Sequence, residues 1–353
     1  MKRRIFVALL ALSLASGPSF AAAAPPAASP EAPATRLAPS ARNLKPTTTI
    51  PLAPTPFRGY PEAYVLHNDR VHAVVVPAIS RLVFLAPSAD APNLLRLDPA
   101  LADAGALPPD PSTAPDFFNI GGDWVWPVAQ SNWPAFSPSS SDWPPPPALA
   151  DGPSAVEAWT DKFGTPHVRL TRHYPAPVHA TITREFILHS YHLRCDQTLV
   201  RDSDAPADAI PLSLWHISQV AAPTNIVFPV PAGFVPTVMA GILAPAAFSI
   251  QPMSPPHVDD YTDLASYTPP PSSEVKLSLP PTTLWAHTPN GTFSVSALAA
   301  EDPHAELYSN TGLGYAELET VTSEFSSGPH VSTLANTLHY CVFPPGVDSL
   351  PVQ

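Results

Sequence analysis

The chain has 353 residues, a formal net charge of −12 and only 13% charged residues. A surface this acidic repels phosphate backbones and argues against nucleic acid as a partner. The 51 prolines argue against long helices, because proline breaks a helix interior, and suit a loop-rich β protein with proline at strand ends and connections.

At the N-terminus, Lys2, Arg3 and Arg4 precede an apolar run from Ile5 to Leu14, and Ser19-Phe20-Ala21 offers a small-x-small cleavage site. The run is too short to span a bilayer. Residues 1–21 therefore read as a signal peptide, and the protein is expected to be exported to the periplasm or the cell exterior. Arg3-Arg4-Ile5-Phe6 is faintly similar to a twin-arginine export signal. Cleavage would remove three basic residues and no acidic ones, taking the net charge from −12 to −15. No later run is apolar and long enough for a membrane span, so no membrane anchor is expected. Residues 22–56 are largely Ala, Pro, Ser and Thr and read as a flexible linker. Residues 57–353 are predicted to form a single β domain.

The segment "AYVLHNDRVHAVVVPAISRLVFLA" holds three short β-type runs, with a turn at Asn68-Asp69. One short helix is predicted in "DPALADAGAL". "HVRLTRHY" alternates apolar with polar. "HATITREFILHSYHLRCDQTLVRD" reads as two strands joined near Ser190-Tyr191. "IPLSLWHISQV", "TNIVFPVPAGF" and "EVKLSLP" follow. "TLWAHTPNGTFSVSALA" is a hairpin at Pro289-Asn290-Gly291, since Asn-Gly tolerates positive φ. "YAELETVTSEF" and "STLANTLHYCVFP" close the chain. Many short strands with turn residues between them predict an all-β, large antiparallel sandwich or barrel with few short helices.

Cys195 and Cys341 are too few for a disulfide scaffold; they could pair in an oxidising compartment, and the plainer reading is two buried thiols. No nucleophile elbow, phosphate loop, dinucleotide fingerprint or HExxH motif is present. "HVDDYTD" (257–263) lacks the regular spacing of a calcium loop and reads as solvated. Neither a metal nor a cofactor is expected.

Three constellations could carry chemistry. In "GGDWVWPVAQSNWP" (121–134), Trp124, Trp126 and Trp133 offer flat apolar faces, and Asp123 and Gln130 offer hydrogen bonds to hydroxyls. The alternative is a Trp-rich loop packed over the sandwich edge, with Gly121-Gly122 supplying a tight turn. In "LWHISQV", Leu214, His216 and Ser218 fall on one strand face and Trp215, Ile217 and Gln219 on the other. His216 could act as an acid near neutral pH, although a strand histidine is more often structural. In "YAELETVTSE", Tyr315, Glu317 and Glu319 share one face, which implies either solvent or a polar cleft.

Taken in order, "VVVPAISRLVFLA", "GGDWVWPVAQSNWP", "PPPPALADGP", "LWHISQV" and "AELETVTSE" resemble a bacterial family known as domain of unknown function 4380, from about Tyr60 to Phe343. That family resembles the galactose mutarotase-like superfamily. The resemblance implies a supersandwich with a carbohydrate cleft on its concave face. It implies an aldose 1-epimerase-like chemistry in which Glu319 matches the base of a Leu-Glu-Thr-Gln-like motif and His216 falls where the acid stands. Trp215, Ser218 and Val321 depart from those motifs. Arg81 stands where the relatives have Gly-Gly-Arg and is a candidate for binding a hydroxyl or carboxylate.

Three readings follow. A carbohydrate-binding protein would use Arg81, Asp123, Trp124, Trp126, Gln130, Gln219 and Glu317 around a mono- or oligosaccharide. An epimerase-like isomerase would also need Glu319 and His216 within about one sugar ring of each other. An accessory sandwich domain would bury its tryptophans and bind no small ligand.

Overall fold

Alternation of inward and outward side chains builds the strands, because successive Cβ atoms of a strand point to opposite faces. In "EVKLSL", Val275, Leu277 and Leu279 are buried and Glu274, Lys276 and Ser278 lie half-buried on the other face. The last strand alternates likewise over eleven residues. The computed structural model describes residues 49–98, 119–136, 143–146, 148–149, 152–253, 261–298, 304–325 and 333–347. These described residues belong to one compact unit.

In chain order the strands are β1 (Ile50–Pro51), β2 (Thr55–Phe57), β3 (Tyr60–His67), β4 (His72–Val76), β5 (Arg81–Ala86), β6 (Asp123–Trp126) and β7 (Ala155–Thr160). Then come β8 (Pro166–Tyr174), β9 (Ala180–Leu188), β10 (Leu193–Arg201), β11 (Trp215–Ala221), β12 (Asn225–Val230), β13 (Thr237–Gly241) and β14 (Phe248–Pro252). The last are β15 (Asp263–Tyr267), β16 (Glu274–Leu279), β17 (Leu284–Thr288), β18 (Gly291–Leu298), β19 (His304–Asn310), β20 (Tyr315–Val321) and β21 (Thr333–Phe343).

Every pairing is antiparallel, and the strands form two large sheets. An eleven-stranded sheet runs β1-β7-β8-β9-β10-β21-β18-β17-β12-β15-β14, and a ten-stranded sheet runs β13-β16-β19-β20-β11-β6-β5-β4-β3-β2. Their inner faces pack together. Leu277, Leu307, Leu318 and Val220 of the ten-stranded sheet join Phe186, Val295, Leu338 and Tyr340 of the other in one buried core. Among the described residues the helical segments are short 3-10 turns at Pro77–Ile79, Gln130–Ala135 and Pro245–Ala247. The all-β sandwich expected from the sequence is the observed fold. The short helix expected in "DPALADAGAL" and most of the 257–263 run lie outside the described residues.

Two expectations need correction. Ile50–Pro51 already pairs with Trp159 and Thr160, so ordered strand begins inside the segment read as linker. The Trp-rich stretch is not an edge loop. Its residues 123–126 are a central strand, paired with β11 over Asp123–Trp126 and joined to β5 through Leu82. The plainer reading of the cysteines agrees with the structure: both are free thiols, Cys195 facing the core and Cys341 half-buried on the alternate face of β21.

Candidate functional site

The centre of the ten-stranded sheet, β20-β11-β6, carries the sequence motifs, and register decides which of their residues meet. Ile217 stands opposite Glu319 on one side and Trp124 on the other, while His216 stands opposite Thr320 and Val125. Directly paired residues share a face. Trp124, Trp126, Trp215, Ile217, Gln219, Glu317 and Glu319 therefore lie on the outer face, and Asp123, His216, Ser218 and Thr320 lie on the inner one. Glu319 and His216 are on opposite sides of the sheet, so the acid–base pair implied by the family resemblance cannot close on one sugar ring.

The inner group is a buried polar cluster between the sheets. Arg184 of β9 donates to both the carboxylate and the carbonyl oxygen of Asp123. Ser218 Oγ donates to Asp123 Oδ2 at 2.6 Å, and His216 Nε2 lies 2.6 Å from the same oxygen. Tyr340 Oη is 3.2 Å from His216 Nε2 and donates to Asp123 Oδ1 at 3.4 Å. Ser218 and Asp123 both approach one ring nitrogen, Nε2. A catalytic triad needs a different partner on each ring nitrogen. Burial works against ionisation of Asp123, but His216, Arg184 and Ser218 outweigh it and hold the carboxyl well below the usual carboxylate range. Asp123 and His216 are fully buried. They bind the sheets together.

The tryptophans also fill space. Trp124, Trp126 and Trp133 are buried, with the Trp126 ring 5.8 Å from Trp124, 5.7 Å from Trp133 and 5.1 Å from Trp215. Trp124 and Trp126 thus form packing, not an open stacking platform. Trp143, at 6.2 Å from Trp126, is 50% exposed and presents the solvent side of this aromatic wall. Gln130 is exposed at the start of its 3-10 turn. Arg81 is buried, donates to the Gly121 carbonyl at 2.5 Å and lies 4.0 Å over the Trp124 ring.

Beside that wall the outer face is a charged cluster. Glu319 Oε2 accepts from Trp215 Nε1 at 2.6 Å and from Lys276 Nζ at 3.2 Å. Lys276 Nζ reaches Glu306 Oε2 at 2.6 Å and lies 4.9 Å over the Trp215 ring. Glu306 Oε1 is 3.0 Å from His304 Nε2. Gln219 donates to Glu317 Oε1 at 2.6 Å and accepts from Arg96 Nη1 at 3.1 Å. The Arg96 guanidinium lies 4.8 Å over the Tyr315 ring. Glu319 Oε1 is buried and has no hydrogen-bond partner among the described residues.

Burial pushes the Glu319 carboxyl up to about 8; Lys276 opposes the shift, and Glu306 and Glu317 add to it. Burial also raises Glu317, against the pull of Gln219 and the nearby cations. For Glu306, burial is outweighed by His304 and Lys276, which hold its carboxyl down at about 2. Burial works against the Lys276 charge, and Glu319 and Glu306 outweigh it and keep the ammonium well above the ordinary lysine value.

The Gly121-Gly122 pair explains how Arg96 arrives. Residues 94–97 run beside β11: Arg96 N–H donates to the Gln219 carbonyl at 2.9 Å, and Gly122 N–H donates to the Arg96 carbonyl at 2.7 Å. Gly121 has φ +90°, and a Cβ there would lie 2.0 Å from the Arg96 carbonyl oxygen. Only glycine permits this approach.

Sequence reasoning thus found Glu317, Glu319 and Gln219, which the fold brings together. It missed Arg96, Lys276, His304 and Glu306. Their signal was available: "EVKLSL" and "HAELYSN" place polar residues at alternate positions, which marks a polar outer face. Among the described residues no group of His, Cys, Asp or Glu is arranged to hold a metal ion, and no helix is long and apolar enough to cross a membrane.

No family model matches the chain, and no curated protein matches it in sequence. The fold is nevertheless that of galactose mutarotase-like proteins. A galactose mutarotase-like protein from Lactobacillus casei ATCC 334 matches with a TM-score of 0.50 at 12% identity, over 80% of this chain and 100% of that one. An Escherichia coli K12 protein provisionally described as an aldose 1-epimerase matches with a TM-score of 0.49 at 11% identity, over 80% and 99%. A galactose mutarotase related enzyme from Lactobacillus acidophilus matches with a TM-score of 0.48 at 10% identity, over 80% and 97%.

Proposed function

We propose that the protein is an exported carbohydrate-binding protein whose ligand rests on the outer face of the ten-stranded sheet, against Glu319, Lys276, Glu317, Gln219 and Arg96. The observation that carries this reading is the buried, unpartnered Oε1 of Glu319 at the centre of that polar cluster. A buried polar atom left without a partner is costly, and a ligand hydroxyl relieves it. The exposed Trp143 ring borders the aromatic wall and suits the C–H face of a sugar. The galactose mutarotase-like fold is consistent with a sugar ligand, though fold by itself does not establish activity.

A second reading keeps Glu319 as a proton-transfer group in an aldose epimerase-like isomerase. Its support is a carboxyl pushed up to about 8, near the working pH of a general acid or base. His216 has no part in it.

Calorimetry against a panel of neutral aldoses and uronic acids tests the binding reading, and polarimetry on the same panel tests turnover. Binding by at least one sugar is expected, weakened about tenfold in Gln219→Ala through loss of the hydrogen bonds that hold Glu317 and Arg96. Acceleration of anomerisation that Glu319→Gln abolishes would favour the isomerase. Absence of both binding and turnover would leave an accessory sandwich domain.

A further inference from the structure

Lys276 is bonded to the Glu319 carboxyl but is shared with Glu306, while Arg96 and Arg81 bear on Glu317. Lys276 Nζ lies 2.6 Å from Glu306 and 3.2 Å from Glu319, so the ammonium sits closer to Glu306. Glu306 is further held by His304 of the same strand. Glu317, two residues along β20, brings a third carboxyl onto the same face, and Glu274 and Tyr308 border it from β16 and β19. The two oxygens of Glu319 are treated differently. Both donors, Trp215 Nε1 and Lys276 Nζ, converge on Oε2, as they would on the carbonyl oxygen of a neutral acid. Oε1 is buried and receives nothing among the described residues. An ionised carboxylate with one oxygen buried and unpartnered is far costlier than a neutral hydroxyl in the same place.

We propose that Glu319 is a neutral carboxylic acid in the folded protein at neutral pH, and that the proton on Oε1 is the donor the site offers to a hydroxyl or ring oxygen of a neutral sugar. This rests on the carbohydrate-binding reading and adds the direction of the hydrogen bond. Glu319 gives a proton-bearing group to the ligand; it does not accept one. Ionisation removes the donor and places a negative charge against an acceptor oxygen, so the ligand is released as pH rises. The carboxyl that burial pushes up to about 8 agrees with this assignment.

Two measurements test it, one without ligand. In the ligand-free protein, infrared difference spectra between wild type and Glu319→Gln should show a protonated carboxyl band at pH 7 that disappears between pH 7 and 10. Where Glu319→Gln does not fold, carbon-13 NMR titration of glutamate-labelled wild type reads the same group. With D-galactose as probe, calorimetric affinity should fall up to about tenfold for each pH unit above the titration. Glu319→Gln, whose amide keeps a donor, should lose that pH dependence. A carboxylate band at pH 7, or wild-type affinity that stays flat to pH 10, overturns the donor role and leaves sugar binding standing. A protonated band together with no binding of any sugar in the panel overturns both.

Discussion

At the scale of single residues, the site depends on a backbone contact as much as on side chains. Gly121 at φ +90° lets the Arg96 carbonyl approach, and Arg96 then reaches Gln219 and Tyr315. Gly121→Ala should cost about 2 kcal/mol or more, because it adds both left-handed backbone strain and a clash with a backbone atom that cannot rotate away. A urea denaturation series measures that cost, and on the proposed carbohydrate-binding reading a parallel fall in sugar affinity is expected as Arg96 moves. The glycine pair was read in the sequence as a tight turn; in the structure Gly121 is bridged to Leu97 and Gly122 bends into β6, both at positive φ. What it lets close could not be read, because residues 94–97 lie more than twenty positions upstream and meet the pair only in the folded sheet. His216 shows the same limit. Strand alternation already separated it from Trp215 and Gln219. Which side of β11 faces the other sheet was undetermined, because both sides mix apolar with polar residues: Leu214 and Val220 with His216 and Ser218 on one, Trp215 and Ile217 with Gln219 on the other.

At the scale of elements, period-two patterns recovered the alternating strands β8, β9, β10, β16 and β21, the more uniformly buried β20, and the Asn-Gly hairpin β17–β18. They failed for β6. All four of its residues are buried, so the sequence shows no alternation there and reads as a loop. The β9–β10 hairpin carries a consequence of its own. At its turn the rings of His189 and His192 stack at 4.8 Å, and His192 stacks on His339 of β21 at 4.8 Å. Tyr191, Arg194 and Asp196 surround the stack. Burial pushes His192 down to about 4, with His339, His189 and Arg194 adding to it. An unfolded histidine takes up its proton near pH 6.5. The unfolded chain therefore binds more protons than the folded one between about pH 6.5 and 4, and stability falls as pH drops through that window. His192→Gln should flatten this slope in thermal melts recorded from pH 7 to 4. An unchanged slope would show that His192 is solvated enough to titrate as it does in the unfolded chain.

At the scale of the whole molecule, the two sheets are joined by more than apolar packing. Asp123 and His216 belong to the ten-stranded sheet, and Arg184 and Tyr340 to the eleven-stranded one. Their bonds cross a largely apolar core of Leu, Val, Ala, Ile, Phe and Tyr. Such a cluster gains little over an apolar replacement of equal volume, but removing one member leaves the others buried without a counter-charge. Asp123→Asn or Arg184→Met alone should therefore destabilise by about 3–5 kcal/mol. The double variant should lose less than the sum of the two, since each change removes the partner that the other strands. The sign with pH is also fixed. The Asp123 carboxyl is held below its unfolded value, so its contribution is complete above about pH 4 and disappears only as pH falls through the depressed folded value. That acid limb lies below the window of His192. Melts carried below pH 4 should show a further loss of stability in wild type that is smaller in Asp123→Asn, where Glu306, also held down, still contributes. A wild-type curve that levels off below pH 4 would mean that the crossing between the sheets holds without the charge.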